Sequence, residues 1–195
     1  MTTQKVETAT AAEEAAVFAV LTLAFSGDPA TRWTWPDPKT YLEAFPPFAK
    51  AFGGAAFGAG SAHRIGSAGA ALWLPPGVGS DEAAIGALMQ RTADVKTAAD
   101  GPQIMQQMAR YHPKEPHWYL PLIGIDPAHQ GRGLGGALMR HATEICDRER
   151  VPAYLESSNL RNVPLYQRHG FEVMGKIQAG SSPVITPMLR WPQRR

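Results

Sequence analysis

The 195-residue chain contains one cysteine, Cys146, so it can form neither an intrachain disulfide framework nor a multi-cysteine metal motif. Its six histidines (His63, His112, His117, His129, His141 and His169) include no His-Glu-x-x-His pair, and no metal is expected. The absence of Gly-Lys-Ser/Thr argues against a lysine P-loop, and the absence of Gly-x-Ser-x-Gly argues against a serine nucleophile elbow. Charge of one sign is also scarce. Nineteen Lys and Arg against seventeen Asp and Glu give a net charge of +2, too balanced to predict a nucleic-acid partner from bulk electrostatics. The basic end, with Arg190, Arg194 and Arg195, reads as a solvated tail. The apolar run from Ala15 to Phe25 is shorter than the roughly 20 residues a bilayer requires. It also follows Glu13 and Glu14, where a signal peptide would carry positive charge. Neither a membrane nor a targeting segment is read, and the expected compartment is the cytoplasm.

What is present fits one domain over residues 1–195, long enough to bury roughly 70% of its unfolded surface. Thr10 and Glu13 have capping-box spacing and predict a helix from Ala11 to Phe25, stopping before Gly27-Asp28-Pro29. Residues 30–38 read as a loop. A helix over Lys39 to Phe52 is expected to bend or break at Pro46-Pro47. The Gly-, Ala- and Ser-rich stretch 53–70 reads as two short strands and a turn, followed by a strand at Ala70–Leu74. Helices are expected over Asp81–Val95 and Pro102–His112. Further on come a strand at Trp118–Ile125, a helix at Gly131–Arg150, a strand at Pro152–Glu156 and a short helix at Asn162–His169. Two closing strands, Phe171–Ile177 and Val184–Leu189, complete the pattern.

The stretch Pro121–Leu138 organises the rest. There Gln130-Gly131-Arg132-Gly133-Leu134-Gly135-Gly136 opens a helix with small residues where the first turn presents unpaired N–H groups. Glycine lets the backbone approach a phosphate and Arg132 adds a cation, so the expected ligand is a phosphorylated cofactor. Gly131-x-Gly133-x-x-Gly136 also fits a dinucleotide fingerprint, with Glu156 lying 20 residues beyond Gly136. Two features oppose that reading. Five residues separate Ile125 from Gly131, and only 39 residues follow Glu156, too few for a second βαβ half.

The alternative pattern Gln/Arg-x-x-Gly-x-Gly/Ala, filled by Gln130, Gly133 and Gly135, resembles the acetyl-coenzyme A signature of the GNAT superfamily of N-acetyltransferases. Asn162, with Tyr166 four residues later and Gly170-Phe171 beyond, resembles the family's second hallmark. Residues 111–190 are further similar to the branch containing puromycin N-acetyltransferase, through Tyr111–Trp118 and Val151–Ser158. The resemblance implies an α/β (α+β) fold: a mixed, mostly antiparallel sheet of about six to seven strands flanked by helices, with acetyl-CoA in a gap between two splayed strands. It assigns acetyl-CoA to residues 111–190 and the acceptor site mainly to residues 1–110. Ile123, Gly124 and Ile125 would meet the pantetheine arm and thioester, Gln130 through Gly136 the pyrophosphate, and Asn162 the pantetheine amides. Backbone N–H donors at the thioester carbonyl would stabilise an oxyanion.

The expected acceptor is a primary amine of a small molecule, and its charge sets the need for a base. An amine of pKa about 10.4 is neutral only about once in 2,500 molecules at pH 7, a cost of roughly 4.6 kcal/mol; an α-amino group near 7.7 costs only about 1 kcal/mol. Glu156 is the candidate base, acting directly or through water; the competing reading is a solvent-facing or capping glutamate. Tyr166 is the candidate acid for the departing thiolate; the competing reading is a packed aromatic. Trp33, Trp35, Tyr41 and Trp73 are candidate acceptor-wall residues on aromatic character alone. Direct transfer in a ternary complex is expected, with Cys146 structural. The rival functional class is a coenzyme A-binding module without turnover. A homodimer is compatible with the sequence.

Overall fold

The computed structural model describes residues 5–193. Seven strands, β1 (Glu7–Thr8), β2 (Ala62–Ile65), β3 (Gly69–Leu74), β4 (Trp118–Ile125), β5 (Ala153–Ser157), β6 (Glu172–Val173) and β7 (Thr186–Arg190), form one open sheet in the order β1-β2-β3-β4-β5-β7-β6. Every pairing is antiparallel except β4 with β5. The helices are α1 (Glu14–Phe25), α2 (Pro29–Thr34), α3 (Pro38–Gly53), α4 (Ala55–Gly58), α5 (Glu82–Thr92), α6 (Val95–Tyr111), α7 (Leu134–Glu149) and α8 (Val163–Arg168).

Strand alternation divides the core. Leu72 and Leu74 of β3 join Leu21, Phe45 and Trp35 on the α1/α3 face, whereas Ala71 and Trp73 join Leu138, Met139 and Leu155 on the α7 face. β3 is buried throughout, as a strand covered on both sides must be. Gly124 is needed for the first of these packings, because a Cβ there would stand 2.5 Å from the Ala24 Cβ of α1.

The expected elements appear with informative changes. Glu13 accepts hydrogen bonds from both the N–H and hydroxyl of Thr10, but the first turn, Ala11–Glu13, is 3₁₀ before α1 begins. Residues 30–38 are not a simple loop: Asp28 accepts from the N–H groups of Ala30 and Thr31, and Pro29 occupies the first position of α2. α3 runs through Pro46 and Pro47 without the expected break. Stacking of Phe25 on Phe45 and edge-on packing of Phe48 against Trp35 and of Phe52 against Tyr119 tie that helix to the core, and packing outweighs the missing N–H donors. The 53–70 stretch contains helix α4 and one strand rather than two strands, and α6 starts at Val95 on an Asp94 cap, with Pro102 inside it.

Candidate active site

The parallel pairing of β4 with β5 is brief. Trp118 pairs with Ala153 and Tyr119 with Tyr154, after which the two strands have no further register partners. The cause lies in β4. Between Tyr119 and Leu122 it advances three residues while its β3 partner advances two, from Leu74 to Leu72, so one extra residue is accommodated beside Pro121. A bulge bends a strand, and proline cannot donate to a ladder. β5 meanwhile keeps all five of its pairings with β7 on its other edge. A gap therefore opens between β4 and β5, and its β4 side is Leu120–Ile125. Backbone groups on that edge suit an extended ligand rich in amides.

The glycine turn stands at the open end of this gap. Asp126 accepts from the N–H of Ala128 and starts a 3₁₀ turn over Pro127–His129. Gln130 donates to the Ile125 carbonyl at 3.2 Å and Arg132 to that of Ala128 at 3.3 Å. Gly131 and Gly133 have φ of 75° and 77°, and a Cβ at either would meet nothing within 4 Å. Their conformation requires glycine, and the space beside them is open. Gly133 caps the sixteen-residue α7 without any side-chain hydrogen bond to its first turn, formed by Leu134, Gly135 and Gly136. An open, left-handed glycine turn leading into uncapped N–H groups fits a phosphate-bearing group. Asn162, exposed at the start of α8, makes no capping bond with its side chain.

Glu156 lies on β5 just past the last β4 pairing. Its side chain is only 5% exposed. Oε2 accepts from the Tyr119 hydroxyl at 2.7 Å, while Oε1 is buried without a hydrogen-bond partner, 3.8 Å from Nδ1 of His112. Burial first, then the Glu156 charge, pushes the Tyr119 phenol far above its ordinary range, so it remains a donor. The Tyr154 phenol is pushed up in the same way. Tyr119, Tyr154 and Glu156 form a polar patch on the α3/α6 side of the sheet.

Tyr166 belongs to the other face. It packs in the α7-side core beside Phe171, at a ring separation of 6.3 Å. Burial, then the carboxylate of Asp28, raises its phenol well above the usual tyrosine value, so it stays protonated through the neutral and alkaline range. Asp28 is itself buried and accepts from Ser158 at 2.6 Å, linking the α1–α2 turn to the end of β5.

The four aromatic residues nominated from sequence are not gathered into one wall. Trp35 is buried against Phe48 and donates to Thr92; Tyr41 is buried and donates to the Thr22 carbonyl; Trp73 is buried on the α7 face. Trp33 is half-buried, packs near Ile104 and Ile177, and donates to Ser181. Sequence reasoning missed Asp28, His112, His117 and Tyr119. One of these had a readable signal: Asp28 directly precedes Pro29, the pattern of a helix N-cap followed by proline at the first helical position.

The open, mostly antiparallel sheet split between β4 and β5, with a glycine turn at the split, defines the class of the N-acetyltransferase fold. A model of the acetyltransferase (GNAT) family matches residues 31–171, and the chain belongs to that family. An uncharacterized N-acetyltransferase of Schizosaccharomyces pombe is 44% identical over 54 residues, covering 28% of this chain and 22% of that protein. Mycothiol acetyltransferase of Beutenbergia cavernae is 42% identical over 53 residues, covering 26% of this chain and 18% of that protein. The similarity thus spans only about a fifth of these curated relatives. Among solved structures, a protein of Corynebacterium glutamicum described as histone acetyltransferase HPA2 and related acetyltransferase is 26% identical. The superposition has a TM-score of 0.65 and covers 98% of this chain and 97% of that one. No helix among the described residues is long and apolar enough to cross a membrane.

Proposed function

We propose that the protein transfers the acetyl group of acetyl-CoA directly to a primary amine of a small molecule in a ternary complex. The reading is supported above all by Glu156, buried on the α3/α6 side of the sheet just past the last β4–β5 pairing, with Tyr166 packed on the α7 side. In this reading Ile123, Gly124 and Ile125 offer backbone groups to the pantetheine arm, Gln130 to Gly136 hold the pyrophosphate, and Asn162 bonds the pantetheine amides. Residues 1–110 contribute most of the acceptor site, with Trp33 its one aromatic wall.

The carboxylate of Glu156 takes a proton from the acceptor ammonium, and the freed lone pair attacks the thioester carbon. As the carbon–sulfur bond breaks, the Tyr166 hydroxyl gives its proton to the thiolate; the second proton of the former amine restores Tyr166. One proton is released overall. Each acid–base role is worth about 10² to 10⁴ in rate. Cys146 takes no part, because burial pushes its thiol up to about 12.

Thiol release from acetyl-CoA across a panel of puromycin, polyamines, aminoglycosides and peptides tests the proposal. Amine-dependent release with a small-molecule acceptor is expected. Tight acetyl-CoA binding without release on any amine would instead favour the coenzyme A-binding module.

A further inference from the structure

Next to Glu156, the end of α6 and the segment leading into β4 bring two imidazoles together. His117 Nδ1 is 2.8 Å from the Glu115 carbonyl, and His117 Nε2 is 3.1 Å from His112 Nε2. His112 Nδ1 in turn faces the orphaned Oε1 of Glu156 at 3.8 Å. These contacts fix where protons sit. A carbonyl only accepts, so His117 carries its proton on Nδ1, and its neutral Nε2 must accept from His112 Nε2–H. A neutral His112 would then turn a bare Nδ1 toward a carboxylate oxygen. These two acceptors face each other, so a proton arriving on Glu156 finds its next acceptor in His112 Nδ1. Both histidines also border a cavity of about 590 Å³, lined among others by Pro75, Val78, Glu82 and Tyr119.

We propose that His112 and His117 are the proton exit of the site, carrying the proton taken up by Glu156 to water in this cavity. The inference rests on the reading of Glu156 as the base. Protonated Glu156 gives its proton to His112 Nδ1, regenerating the carboxylate. The resulting imidazolium is held through its Nε2–H by the lone pair of His117, and the pair then loses one proton to cavity water. Burial holds His117 below the ordinary histidine range, which keeps it the neutral acceptor of the pair. The other ionisable groups around the relay are Tyr119 on β4, Tyr154 on β5, Glu82 on α5, Tyr111 on α6, and Lys114 and Glu115 in the connecting segment. His112 has 39% of its side chain exposed, so its replacement is not a core substitution.

The test has two arms. In the first, ¹⁵N-labelled histidine spectra need no acceptor: His117 is expected as the Nδ1–H tautomer, and the His112 Nδ1 signal is expected to change on Glu156→Gln. An Nε2–H tautomer at His117, or a His112 signal indifferent to Glu156→Gln, overturns the relay. In the second arm, His112→Ala is assayed in dilute buffer with the amine giving most thiol release. We expect kcat to fall about 10-fold with an unchanged KM for acetyl-CoA, and millimolar imidazole to restore it. Loss that imidazole does not restore, or no loss, overturns the relay while leaving the base reading intact. A Glu156→Gln enzyme with wild-type rate and pH profile removes the base reading itself.

Discussion

His63 on β2 should make the native state sensitive to mild acid. Its side chain is 2% exposed, its ring lies 4.5 Å from that of His141 on α7, and neither ring nitrogen has a hydrogen-bond partner. Burial, then the neighbouring His141, lowers it from 6.5 to about 4. Between those two values the unfolded chain binds a proton that the native state refuses, so stability is fully present above pH 6.5 and falls as the pH falls. Linkage puts the loss at about 2 kcal/mol by pH 5 and about 3 kcal/mol by pH 4, relative to pH 8. Urea unfolding of the wild type and of His63→Leu at pH 8, 6.5 and 5 isolates the effect, since the remaining groups cancel in the difference. Leucine sacrifices no hydrogen bond here, so the variant should lose about 2 kcal/mol less than the wild type from pH 8 to pH 5. Parallel pH dependence in the two proteins would refute the reasoning.

Arg190 is buried and grips both carboxylate oxygens of Asp147 at 2.7 Å, so Arg190→Leu should cost about 3 kcal/mol in chemical denaturation, and adding Asp147→Leu should recover most of it. Tyr166→Phe should lower kcat for thiol release about 10²-fold without changing acetyl-CoA affinity; an unchanged kcat would remove the acid role. Because the Tyr166 phenol is held well above its usual range, its ionisation should not set an alkaline limb in the rate profile below pH 10. Native Cys146, buried and pushed up to about 12, should react with a disulfide reagent no faster than the protein opens, and Cys146→Ala should retain thiol release.

The C-terminal elements were the more legible part of the sequence because their signals are local. Trp118–Ile125 is a strand with the expected limits, and the glycines before α7 announce their own backbone conformation. The N-terminal half was harder for physical reasons. Pro46 and Pro47 argue locally for a break, while the aromatic packing of Phe45, Phe48 and Phe52 on Phe25, Trp35 and Tyr119 that keeps α3 continuous is tertiary. Asp28-Pro29 was a readable cap for α2 obscured by the prolines and tryptophans that follow it. The gap was expected only through the family resemblance and not from the residues themselves, because it depends on one extra residue in β4 relative to β3, and register is a property of pairs of strands. Glu156 could be nominated from its place at the end of a strand; its partners His112 and Tyr119 emerge only when α6, β4 and β5 come together.

The central claim is that the split between β4 and β5 holds acetyl-CoA, with its phosphates at the glycine turn. An amide-resolved NMR titration of the protein with acetyl-CoA tests it most directly. The account predicts saturable shifts concentrated in Ile123–Ile125, Gln130–Gly136 and Asn162, with NADH causing none. Saturable shifts centred elsewhere, or the same response to NADH, would contradict it.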